Sequence, residues 1–429
     1  MNRPTIEKST LRLGFIPLTD CAVLVMAKEL GFFARNGLDV TLVREASWAN
    51  IRDKVALGAL DGAHMLATMP LAATSGVSAV NRPMVTAFGM GLGGNGITLS
   101  NALHERMRAL APREEADSPL GSARALKRVI EADRRQGNPP LTFAHVFPAS
   151  THNYELRYWL AAGGIDPDRD VRLTVVPPPQ MVSALGHGGI AGYCVGEPWN
   201  TRAAETGLGR MVATSYDLWN NSPEKVLGIT REWAGRHPRT HQALLRALLE
   251  AARWLDDPDH RREAAGILSD GAYVGAPRTA IERGLSGRMQ MAGGERLLRD
   301  FFVFHRYAAN FPWRSHASWF LAQMIRWGDL PRAQDVAATA AAVYKPGLYR
   351  RVAAELGVPY PTVDRKGEGF HCAPWTLRAA SQPIPMGPDC FLDGARFYPV
   401  LARSGTCQSD SREEAAGADT RLSEPRRAP

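Results

Sequence analysis

A small anion is the ligand best suited to the residues of this chain that could do chemistry. His152 stands at an expected helix start, and Lys225 lies between a turn at residues 220–223 and an apolar run typical of a strand. A helix N-terminus offers unpaired N–H groups, and one lysine beside a dry cleft favours a monoanion. Because no nucleophile or metal cluster accompanies these donors, the pattern indicates binding rather than catalysis.

Further residues could complete such a site. The helix dipole disfavours the imidazolium form of His152 and leaves a neutral hydrogen-bond donor. Trp48, beside Ser47 at another helix start, could cover a planar ligand, although core packing is an equally ordinary role. Asn95 offers an amide in a glycine-rich run at residues 89–97, where a turn-forming asparagine is also common. Pro178 and Val195 could supply walls or backbone edges.

Other site chemistries are poorly supported. His64, Asp61, Ser75 and Glu197 lack the nucleophile elbow of a hydrolase. The glycine run lacks the strand-turn-helix context and downstream acidic residue of a dinucleotide loop. We therefore predict no enzyme activity and no cofactor.

The cysteines are odd in number and far apart, which predicts unpaired thiols rather than a disulfide framework. A zinc site with His371 lacks tight ligand pairs, so no metal is expected. The five cysteines are Cys21, Cys194, Cys372, Cys390 and Cys407.

Composition narrows the classes of partner. The net charge of +8 is spread along the chain without the Lys/Arg-aromatic stripe of a nucleic-acid surface, so direct nucleic-acid binding is not expected. No apolar run is long enough for a membrane span. The first ten residues do not resemble an export signal, which predicts a cytoplasmic location.

Strand and helix patterns alternate as βαβαβα and recur later in the chain, predicting two α/β lobes with largely parallel sheets. Glycine-rich residues 89–97 and residues 214–222 are the expected crossings between the lobes. We predict lobe 1 at 11–96, lobe 2 at 97–215 with a helical insertion at about 103–140, and the rest of lobe 1 with covering helices at 216–355. A C-terminal extension at 356–403 and a disordered tail at 404–429 would follow.

Several motifs make the chain, from about Leu11 to Tyr349, resemble the nitrate-binding proteins of nitrate and bicarbonate ABC transporters. The resemblance implies a two-lobed, periplasmic-binding-protein-like (type II) fold with a helical C-terminal extension. It also implies a nitrate pocket at Trp48, His152, Pro178, Val195 and Lys225, with Asn95 where the family commonly has glutamine or another polar residue. The motifs are Ile16–Asp20, Lys28–Phe33, Glu45–Trp48, Arg52–Val55, Leu60–Met65, His152–Leu160, Val176–Met181, Gly196–Trp199 and Phe311–His316.

Lysine at position 225 is similar to the nitrate branch, whereas the bicarbonate branch has an acidic residue that works with calcium. The early start of the fold resembles the cytoplasmic sensors of the NasS type. That likeness implies a nitrate/nitrite sensor that sequesters an RNA-binding antitermination regulator of the ANTAR type until ligand binds. The alternative is the substrate-binding component of a nitrate ABC transporter, with the transporter permease as its partner. An enzyme similar to the pyrimidine synthases of thiamine biosynthesis is disfavoured, since their clustered cysteines and histidines are absent.

Overall fold

A computed structural model describes residues 6–399 of the chain. The predicted tail at residues 404–429 lies outside the described residues, as do the last residues of the predicted extension. Within residues 6–399, no helix combines the length and hydrophobicity needed to cross a membrane.

The strands of the described residues are β1 Thr10–Phe15, β2 Asp39–Arg44, β3 Gly62–Leu66, β4 Met84–Val85, β5 Gly89–Gly93, β6 Asn95–Ser100, β7 Thr142–His145, β8 Arg172–Val175, β9 Gly192–Gly196, β10 Gly209–Thr214, β11 Pro223–Thr230, β12 Arg288–Met291, β13 Gly294–Leu297, β14 Phe302–Val303, β15 Trp375–Leu377 and β16 Ile384–Met386.

The α-helices are α1 Ala22–Glu29, α2 Phe32–Arg35, α3 Trp48–Ala56, α4 Met69–Ser75, α5 Asn101–Leu110, α6 Arg113–Ala116, α7 Pro119–Arg135, α8 Thr151–Ala162, α9 Met181–Gly186, α10 Trp199–Glu205, α11 Ser215–Leu218, α12 Arg231–Arg236, α13 Pro238–Asp256, α14 Arg261–Leu268, α15 Arg278–Ser286, α16 Arg314–Arg326, α17 Val336–Val343 and α18 Pro346–Glu355. Short 3-10 turns lie at Thr19–Cys21, Pro178–Gln180 and Pro258–His260.

The first sheet has the strand order β14-β5-β11-β3-β1-β2, with β4 paired to β11. Its β2, β1 and β3 strands are parallel, whereas β11 runs antiparallel to β3 and β5. The amphipathic helix α13 packs against α1 and buries leucines such as Leu244 and Leu248 in the core of this lobe. The sheet and its helices form the α/β layers that the alternating pattern predicts, but the sheet is mixed rather than largely parallel, because the pairings made by β4, β5, β11 and β14 are antiparallel.

The second sheet has the order β13-β12-β10-β6-β9-β7-β8, and its β9, β7 and β8 strands are parallel. The strands β12 and β13, within the range predicted for lobe 1, belong to this sheet because Met291 pairs with Met211 of β10. Their short alternating pattern identifies a hairpin but not the sheet that accepts it. The chain therefore crosses between the sheets more often than the two predicted crossings.

The first crossing, from β5 to β6, is a tight connection that only glycine residues can form. Gly93, the last residue of β5, and Gly94, which joins it to β6, have φ values of 73° and 97°, a region that favours glycine. A Cβ atom on Gly93 would lie 2.3 Å from the carbonyl oxygen of Phe301. Side chains larger than hydrogen are thus excluded where β5 passes into β6.

The C-terminal residues 356–399 contain the two-stranded hairpin β15–β16, while the covering helices lie before them at 231–355. Here the prediction of unpaired cysteines is wrong, since Cys372 and Cys390 form a disulfide. The two cysteines are 18 residues apart in the sequence, which does not show that the fold brings their Cα atoms within 5.1 Å of each other. Cys21 and Cys194 are free and buried.

The C-terminal residues also attach to the lobes. The ring centroids of Phe391 and Trp219 lie 4.9 Å apart, and Trp219 directly follows α11, the helix of the second crossing. Tyr158 of α8 donates a hydrogen bond to Asp393 at 2.6 Å. This segment is therefore part of the folded body rather than a separate appendage.

Candidate anion-binding site

The carboxyl-terminal edges of the two sheets carry the candidate site. Asp20 follows β1, Trp48 begins α3 after β2, and Lys225 pairs with Leu66 at the end of β3. In the second lobe, His152 lies in the first turn of α8 after β7. Ligands of open α/β folds bind outside the carboxyl ends of strands, so the topology places these side chains at the expected position.

Direct hydrogen bonds join the two edges. The Thr19 N–H donates to the Glu197 carbonyl at 2.8 Å, and the Thr68 hydroxyl donates to the Ala149 carbonyl at 2.7 Å. The Trp199 indole also reaches the Pro17 carbonyl at 3.3 Å. The lobes are thus in contact, and the side chains between them are shielded from solvent.

Lys225 is the central cation of this cluster, with 2% of the residue exposed. Its Nζ atom lies 2.7 Å from Oδ2 of Asp20, contacts Oε1 of Glu224, and is 5.6 Å from the Trp48 ring centroid. Burial would lower the pKa of Lys225, but the two carboxylates outweigh burial and raise it. The ammonium group therefore keeps its charge in a dry environment.

His152 provides an uncharged polar group beside Lys225. The Ser150 side chain caps α8 by accepting the Asn153 N–H, which fixes the helix start that carries this histidine. Its Nε2 atom is buried without a hydrogen-bond partner and lies 3.6 Å from Oε1 of Glu224. Burial, and then the Lys225 charge, hold the pKa of His152 well below its usual range, so the ring is neutral at pH 7.

Trp48 and Asn95 are both fully shielded. Ser47 caps α3 by accepting the Asn50 N–H, and the adjoining Trp48 presents a buried indole N–H that has no partner. Asn95 is the first residue of β6 rather than part of a loop, and its amide Nδ2 donates to Glu155 at 2.9 Å. One of the two N–H groups of the amide predicted to bind a ligand is therefore already engaged, while Oδ1 of Asn95 has no partner.

Pro178 and Val195 lie at the carboxyl ends of strands that flank β7. Pro178 is the buried first residue of the 3-10 turn after β8. Val195 lies near the end of β9, in the same hydrophobic cluster as Trp48. An apolar wall remains the predicted role of both residues, and neither adds a charge.

Three buried carboxyl groups were missed as site residues by the sequence reasoning. Burial raises the pKa of Glu155 to about 8, helped by the neighbouring Glu224, and burial also raises that of Glu224. Burial opposes ionisation of Asp20, but Lys225 and His64 outweigh burial and hold its pKa below the usual range. A signal existed for Glu155, because it lies three residues after His152 and thus on the same helix face.

The residues that might suggest a hydrolase do not assemble into a triad. His64 contacts Oδ1 of Asp20 at 2.9 Å, whereas Asp61 pairs with Lys8 and accepts from Trp233. Among residues 6–399, no group of three or more His, Cys, Asp or Glu side chains is arranged to hold a metal ion. The cluster combines one fixed cation, the unpartnered nitrogens of His152 and Trp48, and three buried carboxyl groups, of which Asp20 pairs with the cation.

Comparison with known proteins identifies the family of this chain. The NMT1-like family profile matches residues 5–269. The chain belongs to the NMT1-like family. The nitrate/nitrite binding protein NrtA of Synechococcus elongatus is 35% identical over 411 residues, covering 92% of this chain and 88% of that protein. The crystal structure of the periplasmic nitrate-binding protein NrtA from Synechocystis aligns with a TM-score of 0.81 and 31% identity, over 93% of this chain and 98% of that chain.

Two longer relatives are also similar to this chain. The nitrate import ATP-binding protein NrtC of Synechocystis is 42% identical, and the bicarbonate transport ATP-binding protein CmpC of the same organism is 41% identical. The matches cover 82% and 83% of this chain but only 51% of each relative, so the chain spans about half of their length. The NMT1-like chain thus has the two-lobed fold of the periplasmic nitrate-binding protein NrtA, and the NrtA relatives are solute-binding proteins rather than enzymes.

Proposed function

We propose that this protein binds nitrate or nitrite between its two lobes. The observation that carries the proposal is the buried Lys225 ammonium group, which lies at the facing sheet edges with the unpartnered His152 and Trp48 nitrogens nearby. Asn95, Pro178 and Val195 would complete the pocket. A planar monoanion suits this set, because one ammonium, neutral donors and an indole ring can surround it without a second cation.

Lysine rather than an acidic residue at position 225 favours nitrate over bicarbonate. A bicarbonate site of the related kind uses a carboxylate with calcium, and an ammonium group repels that cation. The test is isothermal titration with nitrate, nitrite, and bicarbonate with calcium. Tighter binding of bicarbonate with calcium than of both nitrogen anions would overturn the proposal.

One role for the bound form is delivery to an ABC transporter, with the transporter permease as partner. The Cys372–Cys390 disulfide supports this role, since disulfides persist mainly in oxidising compartments outside the cytoplasm. The related NrtA is named a nitrate/nitrite binding protein, and the related NrtC is named a nitrate import ATP-binding protein. This role would place the protein beyond the cytoplasmic membrane.

A second role is the cytoplasmic sensor of nitrate and nitrite implied by the sequence motifs. In that role the ligand-free protein would hold an RNA-binding antitermination regulator, and nitrate would release it. Nitrate would then prefer one lobe arrangement and the regulator another, since a ligand shifts an equilibrium only by its differential affinity. Each ligand would weaken the other by the same factor, typically about 5- to 150-fold.

Pull-down from nitrate-free lysate, followed by elution with nitrate, distinguishes the two roles. Release of an RNA-binding regulator would establish the sensor, and recovery of no such regulator would favour transport. Cell fractionation supplies an independent readout, because transport requires the protein outside the cytoplasm and sensing requires it inside.

A further inference from the structure

We propose that the site takes up one proton together with its anion, and that Glu224 holds this proton. The inference rests on nitrate or nitrite binding at Lys225, and it makes Glu224 a determinant of when the site accepts an anion. The proton comes from solvent, so the binding step consumes one anion and one proton and releases neither.

The position of Glu224 creates the need for a proton. Its Oε1 atom contacts the Lys225 ammonium group and lies 3.6 Å from Nε2 of His152. These are the two groups that an incoming anion would also contact. With 2% of its surface exposed, Glu224 has no solvent to screen its charge. An ionised Glu224 therefore competes with the anion for the same cation.

The charges around Lys225 lead to the same conclusion. Asp20, from the turn after β1, lies 2.7 Å from the ammonium group and neutralises it. An ionised Glu224 leaves the cluster with one net negative charge before any anion arrives. Protonation removes that charge and turns the carboxyl group into a hydrogen-bond donor. Like charges at these distances repel strongly in a buried site.

The other groups facing Glu224 cannot supply this neutralisation. From α8, burial keeps His152 neutral, and the pKa of Glu155 is raised to about 8, so its carboxyl group is already protonated at pH 7. From β3, burial lowers the pKa of His64. From β9, burial raises the pKa of the Cys194 thiol. Thr151 on α8, which hydrogen-bonds to Glu224, carries no charge, and neither does Asn95 beside Glu155 or Trp48 beside Lys225.

Asp20 is held ionised by Lys225 and His64, whereas burial raises the pKa of Glu224 above its usual range. A bound anion would raise the pKa of Glu224 further. Proton uptake therefore falls to Glu224, and nitrate affinity should decline by up to about tenfold per pH unit above the pKa of this residue in the free protein.

Isothermal titration of the full chain with nitrate, in buffers of different ionisation enthalpy between pH 6 and 7.5, where Glu155 stays protonated, measures the uptake directly. We expect uptake to approach one proton as the pH rises, with a parallel loss of affinity. If nitrate binds and no proton is taken up throughout this pH range, the inference is overturned while the proposed function stays intact. Absence of nitrate binding at every pH would overturn both.

Variants locate the proton. Glu224→Gln is a neutral amide of similar shape and should bind nitrate with no uptake and with an affinity that changes less than threefold across this range. Glu368→Gln is the matched control, since Glu368 is a buried glutamate in the C-terminal extension whose pKa burial raises to about 7. It should retain uptake. Full uptake in a folded Glu224→Gln variant would overturn the assignment, and if that variant does not fold, the wild-type buffer series still decides whether a proton is bound.

Discussion

The Nζ atom of Lys225 lies 2.7 Å from Oδ2 of Asp20, although the two residues belong to distant parts of the sequence. Asp20 follows the first strand, and Lys225 lies on β11, which returns to the first sheet after the chain has built most of the second. The ion pair thus joins two segments of the first lobe that most of the second lobe separates in the sequence, and it lies within the anion site. Ligand binding and stability should therefore respond together to changes in this cluster.

Nitrate should stabilise the protein by mass action. At a hundredfold excess over Kd, the free energy of unfolding should rise by about 2.7 kcal/mol. Thermal unfolding with nitrate, nitrite, and bicarbonate with calcium measures the effect. Equal stabilisation by nitrate and by bicarbonate with calcium would contradict the anion preference proposed for Lys225.

Lys225→Met should weaken nitrate binding by about 2–5 kcal/mol, because the variant lacks the ammonium partner of the anion. It should also lower stability, since Asp20 would become a buried carboxylate without its cation. Titration and thermal unfolding separate the two effects. Lys28→Met, on the exposed side of α1, is the control and should change neither. A folded Lys225→Met variant with unchanged nitrate affinity would place the site elsewhere.

His152→Phe should weaken nitrate binding by about 1.5–3 kcal/mol, the usual contribution of a hydrogen bond to a charged group. Burial keeps this ring neutral, so the loss should be the same at pH 6 and pH 8. His241→Phe provides a buried histidine control on α13, whose pKa burial lowers to about 3. A loss confined to low pH would show that His152 acts as a cation instead.

Glu155 should make the unliganded protein less stable as pH rises. Its folded pKa of about 8 exceeds the ordinary value of 4.5, so the folded state binds more protons than the unfolded state between those values. The free energy of unfolding therefore falls from pH 4.5 towards pH 8. Urea unfolding should show a shallower fall for Glu155→Gln, whose side chain can still accept from Asn95. Identical pH slopes would exclude a stability role for this carboxyl group.

Loss of the Cys372–Cys390 disulfide should destabilise the protein by about 3 kcal/mol, the order expected when a loop of this length is released. A Cys372→Ser/Cys390→Ser variant should unfold at a lower temperature and be insensitive to dithiothreitol, whereas the wild-type protein should shift towards the variant on reduction. Alkylation of both cysteines in the denatured, unreduced protein would contradict the disulfide.

Local patterns were sufficient for much of the architecture. Alternating strand and helix periods predict α/β layers, and Ser47 and Ser150 mark the helix starts that carry Trp48 and His152. These features depend on neighbours in the sequence, so residue order alone determines them. The placement of Lys225 near a strand end follows from the same kind of reasoning.

Only the tertiary structure decided which charges meet. Successive strand residues normally point to opposite faces, so nothing in the sequence brings the Glu224 carboxylate to the neighbouring Lys225 ammonium group. The pairing of β11 with β5 shifts register on both sides of Lys225, and such irregularities redirect side chains. The Asp20 contact, the β12–β13 hairpin on the second sheet and the Cys372–Cys390 bond likewise join distant segments. Long-range packing and burial, which no local period encodes, determine these contacts and the pKa shifts that accompany them.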